Sequence, residues 1–182
     1  MSTRKFPYED DEVLIWVSNH LKFHIAMYID TLLWLSQIHF NLTDDYRVWN
    51  AILENNLVHA RALIDFVCKP PDRARARKTD VFAIDYLVGI SSDFPLDNVY
   101  LKNNSDSIGG MLVHITTKIR ADSLSLLGWD IPGISHNLIP ALNTFFEIVP
   151  EEKLDKGVRD ICQAYLDKTL GLDISGPFFP AP

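Results

Sequence analysis

Four polar side chains that could do chemistry stand among the apolar residues of the segment 45–68, namely Glu54, His59, Arg61 and Asp65. A helix turns by about 100° per residue, so His59 and Arg61 point about 160° apart and cannot line one small pocket. Glu54, Arg61 and Asp65 fall within about 40° of one another and form a polar strip. Arg61 and Asp65 can pair because they are four residues apart. We interpret the strip first as structural, with a catalytic role as the alternative, because ion-pair networks are common without function.

His114 is the second candidate, within the stretch GGMLVHITTKIR. Gly110 would let another backbone approach closely beside it. A histidine one turn after two glycines suits an anion site or a proton-transfer site. His114 would then be a general acid or base, and Arg61 or Arg120 would steady a developing phosphate charge. A tightly packed helix crossing with one hydrogen-bonded histidine explains the same residues equally well.

His20 and His24 are four residues apart, the spacing of helical metal ligands. A di-metal bundle would also need Glu-x-x-His on two helices, and the sequence has none. We therefore favour core or interface histidines and predict no metal site. The sequence also lacks a phosphate-binding loop, a nucleophile elbow and a dinucleotide fingerprint, so we predict no cofactor.

The segment 69–78 is basic, with Arg73, Arg75 and Arg77 alternating with alanines. Two prolines and the absence of an apolar period predict a solvated loop. No aromatic residue is interleaved, so bases have no local stacking platform. Contact with RNA or phosphate through this loop is the alternative.

The composition of the chain is typical of a globular protein. The chain has 182 residues, 47% of them hydrophobic, and a net charge of −7, which disfavours general nucleic-acid binding. The first residues do not resemble a secretory signal, and the apolar region 13–35 contains Lys22 and Asp30, which a membrane span avoids. We expect a cytoplasmic protein without a membrane contact, with Cys68 and Cys162 reduced and buried.

Apolar periodicity predicts an all-α fold, a single-domain bundle of about five to seven helices with the helix 45–68 buried at its centre. Asp80 is expected to cap a short helix, and Trp129–Ser135 to form a turn that contains Pro132. Residues 1–10 are expected to be a loose lead-in and 172–182 an extended tail. The other helices are predicted over 11–40 with at most one break, 81–87, 95–101, 106–120, 136–149 with Pro140 near its start, and 151–170.

The stretch LVHARALIDF, residues 57–66, resembles a signature of an uncharacterised family of bacterial helical proteins. In that family a charged loop follows, then a segment like DVFAIDY, here residues 80–86, and then a His-Ile-Thr helix ending in arginine. The resemblance covers about residues 45–130. It implies a helical fold and no assigned activity. It adds Asp80 and Asp85 to His59 and Asp65 as candidate binding residues.

More loosely, the arrangement resembles the HEPN superfamily of helical bundles, many of which cleave RNA as dimers in toxin or defence systems. This resemblance implies a homodimer and a metal-independent ribonuclease or nucleotide-acting enzyme that uses His114, Arg61 and Arg120. The sequence departs from the HEPN pattern, because no histidine follows Arg61 at the required spacing and His114 precedes Arg120. Three functions remain open: a binding or interaction module, this enzyme and, against the favoured interpretation of His20 and His24, a metal-binding helical bundle.

Overall fold

The computed structural model describes residues 11–37, 46–68, 80–89, 97–110 and 129–172. Throughout these ranges the regular structure is helical and contains no strand, which confirms the predicted all-α fold. The elements are α1 (Asp11–Gln37), α2 (Tyr46–Cys68), α3 (Ala83–Tyr86), α4 (Val99–Ile108), α5 (Ile131–Ile148), a 3₁₀ turn (Glu151–Lys153) and α6 (Val158–Asp167).

Helix α2 lies at the centre of the bundle, as its apolar circumference predicts. It packs against α1, α3, α4 and α5. Its residues Leu57, Ala60, Ile64 and Val67, which follow one another in steps of three and four, are completely buried. Each buried aliphatic side chain of the size of leucine contributes about 2 kcal/mol. The same burial fixes the directions in which the polar residues of α2 point.

Helix α1 is continuous and lies between α2 and α6. Its buried residues recur every three or four positions on the inner side. The amide of Asn56 on α2 donates to the carbonyl oxygen of Tyr28 at 3.0 Å and to the hydroxyl of Thr31 at 3.0 Å, which fixes the register of the two helices. The outer side of α1 remains exposed, and this side carries large aromatic residues.

The start of α5 corrects the sequence prediction of a turn over Trp129–Ser135. The helix already begins at Ile131, because the Asp130 carboxylate accepts the Gly133 N–H at 2.9 Å as an N-cap. Pro132 lies in the first turn, where an N–H would have no intrahelical partner in any case. Pro140, expected near the start, lies inside the helix.

The two helices predicted around residues 95–120 also differ from the structure. One helix, α4, spans Val99–Ile108, with Asn98 as its N-cap, and it continues through Gly109 and Gly110 as a π-helical turn. Residues 111–120 of the second predicted helix lie outside the described residues. The predicted cap Asp80 is not the cap of α3, because that helix begins three residues later, at Ala83.

The helix predicted over 151–170 is divided in two. The 3₁₀ turn ends where Leu154 takes an extended conformation. Helix α6 begins after Gly157, whose φ of 75° is a left-handed conformation that glycine adopts without strain. Gly171, with a φ of 77°, lies in the turn that follows α6. Arg159, in the first turn of α6, donates to the carbonyl oxygens of Phe146 and Val149 at the end of α5. These carbonyls have no helical partner, so Arg159 joins the two helices.

One hydrophobic cluster includes residues from every described α-helix. Cys68 and Cys162 belong to it, and both are free and completely buried, as expected. Within the described ranges, none of the helices has the combination of length and apolarity that crossing a bilayer requires.

Candidate functional site

The polar residues of α2 point to two different neighbours, as their angular separation predicts. His59 faces α1, where its ring contacts that of His24. Arg61 and Asp65 face α4, where they meet Gly109 and Ser105. The sequence-predicted site residues therefore form two separate groups on opposite sides of α2.

The Arg61 guanidinium lies against the backbone of Gly109. A methyl group on Gly109 would lie 2.7 Å from Cζ of Arg61, 2.9 Å from Nη2 and 3.0 Å from Nη1. Because these three distances are nearly equal, one flat face of the guanidinium covers the glycine. Gly109 is also where α4 passes into its π-helical turn, a feature that is frequent at functional sites.

Asp65 is held on the α4 side of the strip. Its Oδ1 accepts a hydrogen bond from the buried Ser105 hydroxyl at 2.5 Å. Its Oδ2 lies 3.9 Å from Nε of Arg61, which is an ion pair but too long for a hydrogen bond. The predicted Arg61–Asp65 pair is therefore present, although it satisfies the arginine only by charge.

Nε of Arg61 is buried and has no hydrogen-bond partner. The side chain as a whole keeps 31% of its surface exposed, so other atoms of it reach solvent. An unpartnered buried donor costs about 1–3 kcal/mol, and more when the group is charged, and such a group needs an explanation. This arginine is the least satisfied polar group among the predicted site residues that the structure describes.

The second group is a pair of histidines on facing helices. Nδ1 of His24 lies 2.8 Å from Nδ1 of His59, so one ring carries a hydrogen on that atom and the other accepts it. The ring of Phe23 stands edge-on to both, with centroids 5.7 Å from His24 and 5.4 Å from His59. The pair is partly shielded from water by this ring.

Burial lowers the pKa of both His24 and His59, and positive charge on a neighbouring histidine lowers each pKa further. The neighbour is His20 in the case of His24 and His24 in the case of His59. The pair is thus held neutral at a pH where an exposed histidine begins to gain a proton. Two facing Nδ1 atoms at hydrogen-bond distance also leave no space between them for a metal ion.

His20 does not complete a metal site with His24. Its ring contacts that of Trp16 in a tilted arrangement instead, with a centroid distance of 4.5 Å. Over the part of the chain that the structure describes, no group of three histidine, cysteine or acidic side chains is placed to hold a metal ion.

Of the other site residues predicted from the sequence, three lie in the described ranges. Glu54 is exposed on α2. Asp80 is half-buried, and Asp85 is completely buried, where its carboxylate accepts the Phe82 N–H at 2.8 Å and closes the first turn of α3. This is a structural role for Asp85. The following predicted residues lie outside the described residues: Arg73, Arg75, Arg77, His114 and Arg120.

Three exposed aromatic residues of α1 were not predicted as functional. Trp16, Phe23 and Trp34 are 64%, 52% and 61% exposed. They point within about 20° of one another, because intervals of 7 and 11 residues both come close to whole numbers of helical turns. We call this set the aromatic ridge. Its spacing is visible in the sequence, but the high apolar density of α1 conceals which side is outward.

Comparison of the chain with protein-family models, with curated proteins and with solved structures gives no match. The resemblances to a bacterial helical family and to the HEPN superfamily therefore stay predictions. The ribonuclease hypothesis also stays a prediction, since two of its three residues, His114 and Arg120, lie outside the described ranges.

Proposed function

We propose that the protein is a helical interaction domain that forms a homodimer through the aromatic ridge of α1. The supporting observation is the alignment of Trp16, Phe23 and Trp34 on one exposed helix face. Scattered exposed apolar residues are normal in a folded protein, whereas a contiguous apolar patch marks an interaction site. Tryptophan is also among the residues that contribute most to binding energy at interfaces.

A second copy of α1 fits this ridge in an antiparallel arrangement. With a two-fold axis at Ile25, Trp16 of each copy lies level with Trp34 of the other, and Phe23 lies level with Met27. The ridge extends about 27 Å along the helix axis at 1.5 Å per residue. The same face is therefore self-complementary in the spacing of its large side chains.

The extent of the ridge determines how tight the dimer is expected to be. A stable interface buries about 800 Å² per partner, and a single helix face covers less than that. Val48 and Val58 on α2 are also exposed, by 49% and 45%. We therefore expect a dissociation constant of about 1–100 μM, which corresponds to roughly −8 to −5.5 kcal/mol.

Sedimentation-velocity ultracentrifugation between 1 and 300 μM tests the proposal. The wild-type protein should change from monomer to dimer across this range. Trp16→Ala combined with Trp34→Ala should weaken association at least tenfold. A matched control, Val99→Ala, removes a 63% exposed apolar side chain from α4 and should leave association unchanged. Monomer at every concentration, or a dimer that the double variant leaves intact, would contradict the proposal.

A further inference from the structure

We propose that the Arg61 guanidinium is a binding site for a small oxyanion, a carboxylate or a phosphate. The proposal is independent of the homodimer, because Arg61 faces α4 and the aromatic ridge lies on the outer side of α1. It starts from the unused hydrogen-bonding capacity of this arginine, since a guanidinium carries five N–H donors and Asp65 accepts none of them. Nε is buried without a hydrogen-bond partner, so a ligand from solvent would use the terminal Nη1 and Nη2 donors.

The guanidinium is already positioned as a receptor. One flat face lies on Gly109, with Cζ, Nη2 and Nη1 all 2.7–3.0 Å from the point where a Cβ atom would be. The N–H bonds of a guanidinium lie in its plane, so covering a flat face leaves the terminal edge of Nη1 and Nη2 uncovered, whereas the edge that contains Nε is buried. A side chain fixed in this way loses less conformational freedom on binding than a mobile surface arginine.

Asp65 does not occupy the place of the ligand. Its Oδ2 is 3.9 Å from Nε, and its Oδ1 accepts the Ser105 hydroxyl at 2.5 Å. The carboxylate is therefore held towards α4, where it offsets part of the arginine's charge without accepting its hydrogen bonds. Among the described residues, no closer anionic group approaches the guanidinium.

The chemistry of the ligand follows from the donors. Two parallel N–H bonds of a guanidinium match two oxygens of one carboxylate or one phosphate, and such charge-assisted bidentate bonds are the strong ones. The exposed 31% of the Arg61 side chain gives the ligand an approach from solvent. A single such arginine beside a carboxylate favours a small anion in the millimolar range, near −4 kcal/mol.

Titration followed by two-dimensional NMR of the arginine Nε–H groups tests the site directly. Inorganic phosphate and acetate are added separately at constant ionic strength, with chloride as the balancing salt. We expect a saturable shift of the Arg61 signal. Arg159 is the internal control, since its Nε donates to Glu151 at 2.7 Å and its terminal nitrogens donate to carbonyl oxygens. Its signal should not respond in a saturable way.

Two variants separate the site from general charge effects. Arg61→Lys keeps the positive charge and removes the paired, planar N–H donors of the guanidinium. It should weaken anion binding at least tenfold, measured as the loss of the anion-dependent rise in melting temperature. Gly109→Ala displaces the guanidinium, and it should still fold because the displaced atoms are the end of a flexible side chain. It should weaken binding similarly.

The two anions identify the source of the ligand. A stronger response to phosphate assigns the site to phosphate-bearing ligands, and a stronger response to acetate assigns it to carboxylates. No saturable shift of the wild-type Arg61 signal up to about 50 mM of either anion would overturn the proposal, because the implied affinity would fall below about −2 kcal/mol. A response that Arg61→Lys leaves unchanged would overturn it as well.

Discussion

Nδ1 of His24 and Nδ1 of His59 lie 2.8 Å apart across the contact between α1 and α2. Two imidazoles facing each other in this way share one hydrogen and cannot both be cationic without strong repulsion. Burial and the neighbouring histidine charge lower the pKa of each ring. The contact between the two longest helices therefore contains a pair that must be largely neutral in the folded protein.

The free energy of unfolding should decrease as the pH falls from about 7.5 to 5.5. The unfolded chain binds protons on these histidines near their ordinary pKa of 6.5, whereas the folded chain, with lowered pKa values, does not. Below that pH the unfolded state holds more protons, so acid favours unfolding. The stabilisation is complete above pH 6.5. It decreases as the pH falls from 6.5 to the lowered pKa values of the folded protein. Urea unfolding at a series of pH values measures this slope.

Substituting the pair tests its contribution to the pH dependence. The double variant His24→Gln and His59→Gln should have a flatter profile between pH 5.5 and 7.5. His136→Gln, at an exposed position of α5, is the matched control and should keep the wild-type slope. A double variant with the wild-type slope would assign the pH dependence to other groups.

Arg159 should be important for stability through its carbonyl contacts rather than through its ion pair. Arg159→Met removes the donors to Phe146 and Val149 and should lower the free energy of unfolding by about 2 kcal/mol. Glu151→Gln removes only an exposed ion pair at 2.7 Å and should change it by less than about 0.5 kcal/mol. Equal effects of the two substitutions in chemical denaturation would contradict this ranking.

The buried hydroxyl pair of Tyr28 and Ser135 joins α1 to α5. Their oxygens are 2.8 Å apart, and both residues are completely buried. Tyr28→Phe and Ser135→Ala should each cost about 1–2 kcal/mol, since each leaves the other hydroxyl without its partner. The double variant should cost less than the sum, with a coupling energy of about 1 kcal/mol in a double-mutant cycle. Strict additivity would indicate that the hydroxyls do not stabilise each other.

The long helices were predictable because their signals are local and repeated. Helix α2 was expected over 45–68 and spans Tyr46–Cys68, since the prolines at 70 and 71 stop it clearly. The start of α5 was predicted wrongly, because Pro132 and Gly133 suggest a turn. The cap that Asp130 forms makes the proline favourable in the first helical turn. The last predicted helix is broken between the extended Leu154 and the left-handed Gly157, and this break was not predicted from the sequence.

The candidate sites were predictable only in part. Angles around one helix are sufficient to separate His59 from Arg61, and the structure confirms that separation. The partners of these residues come from other helices, so no spacing along the chain indicates that Gly109 lies under Arg61 or that His24 meets His59. Which side of α1 remains uncovered likewise depends on the positions of α2 and α6 and not on α1 itself.

Because the cysteines are buried, the rate at which their thiols react measures how often the helical core opens. Cys68 and Cys162 are the two cysteines of the chain, both are completely buried, and burial raises their pKa values to about 11 and about 12. Only the thiolate reacts with alkylating reagents, so both thiols are unreactive while they are buried in the folded core. The rate at which a thiol reagent consumes them reports how often the core around α2 and α6 opens to water.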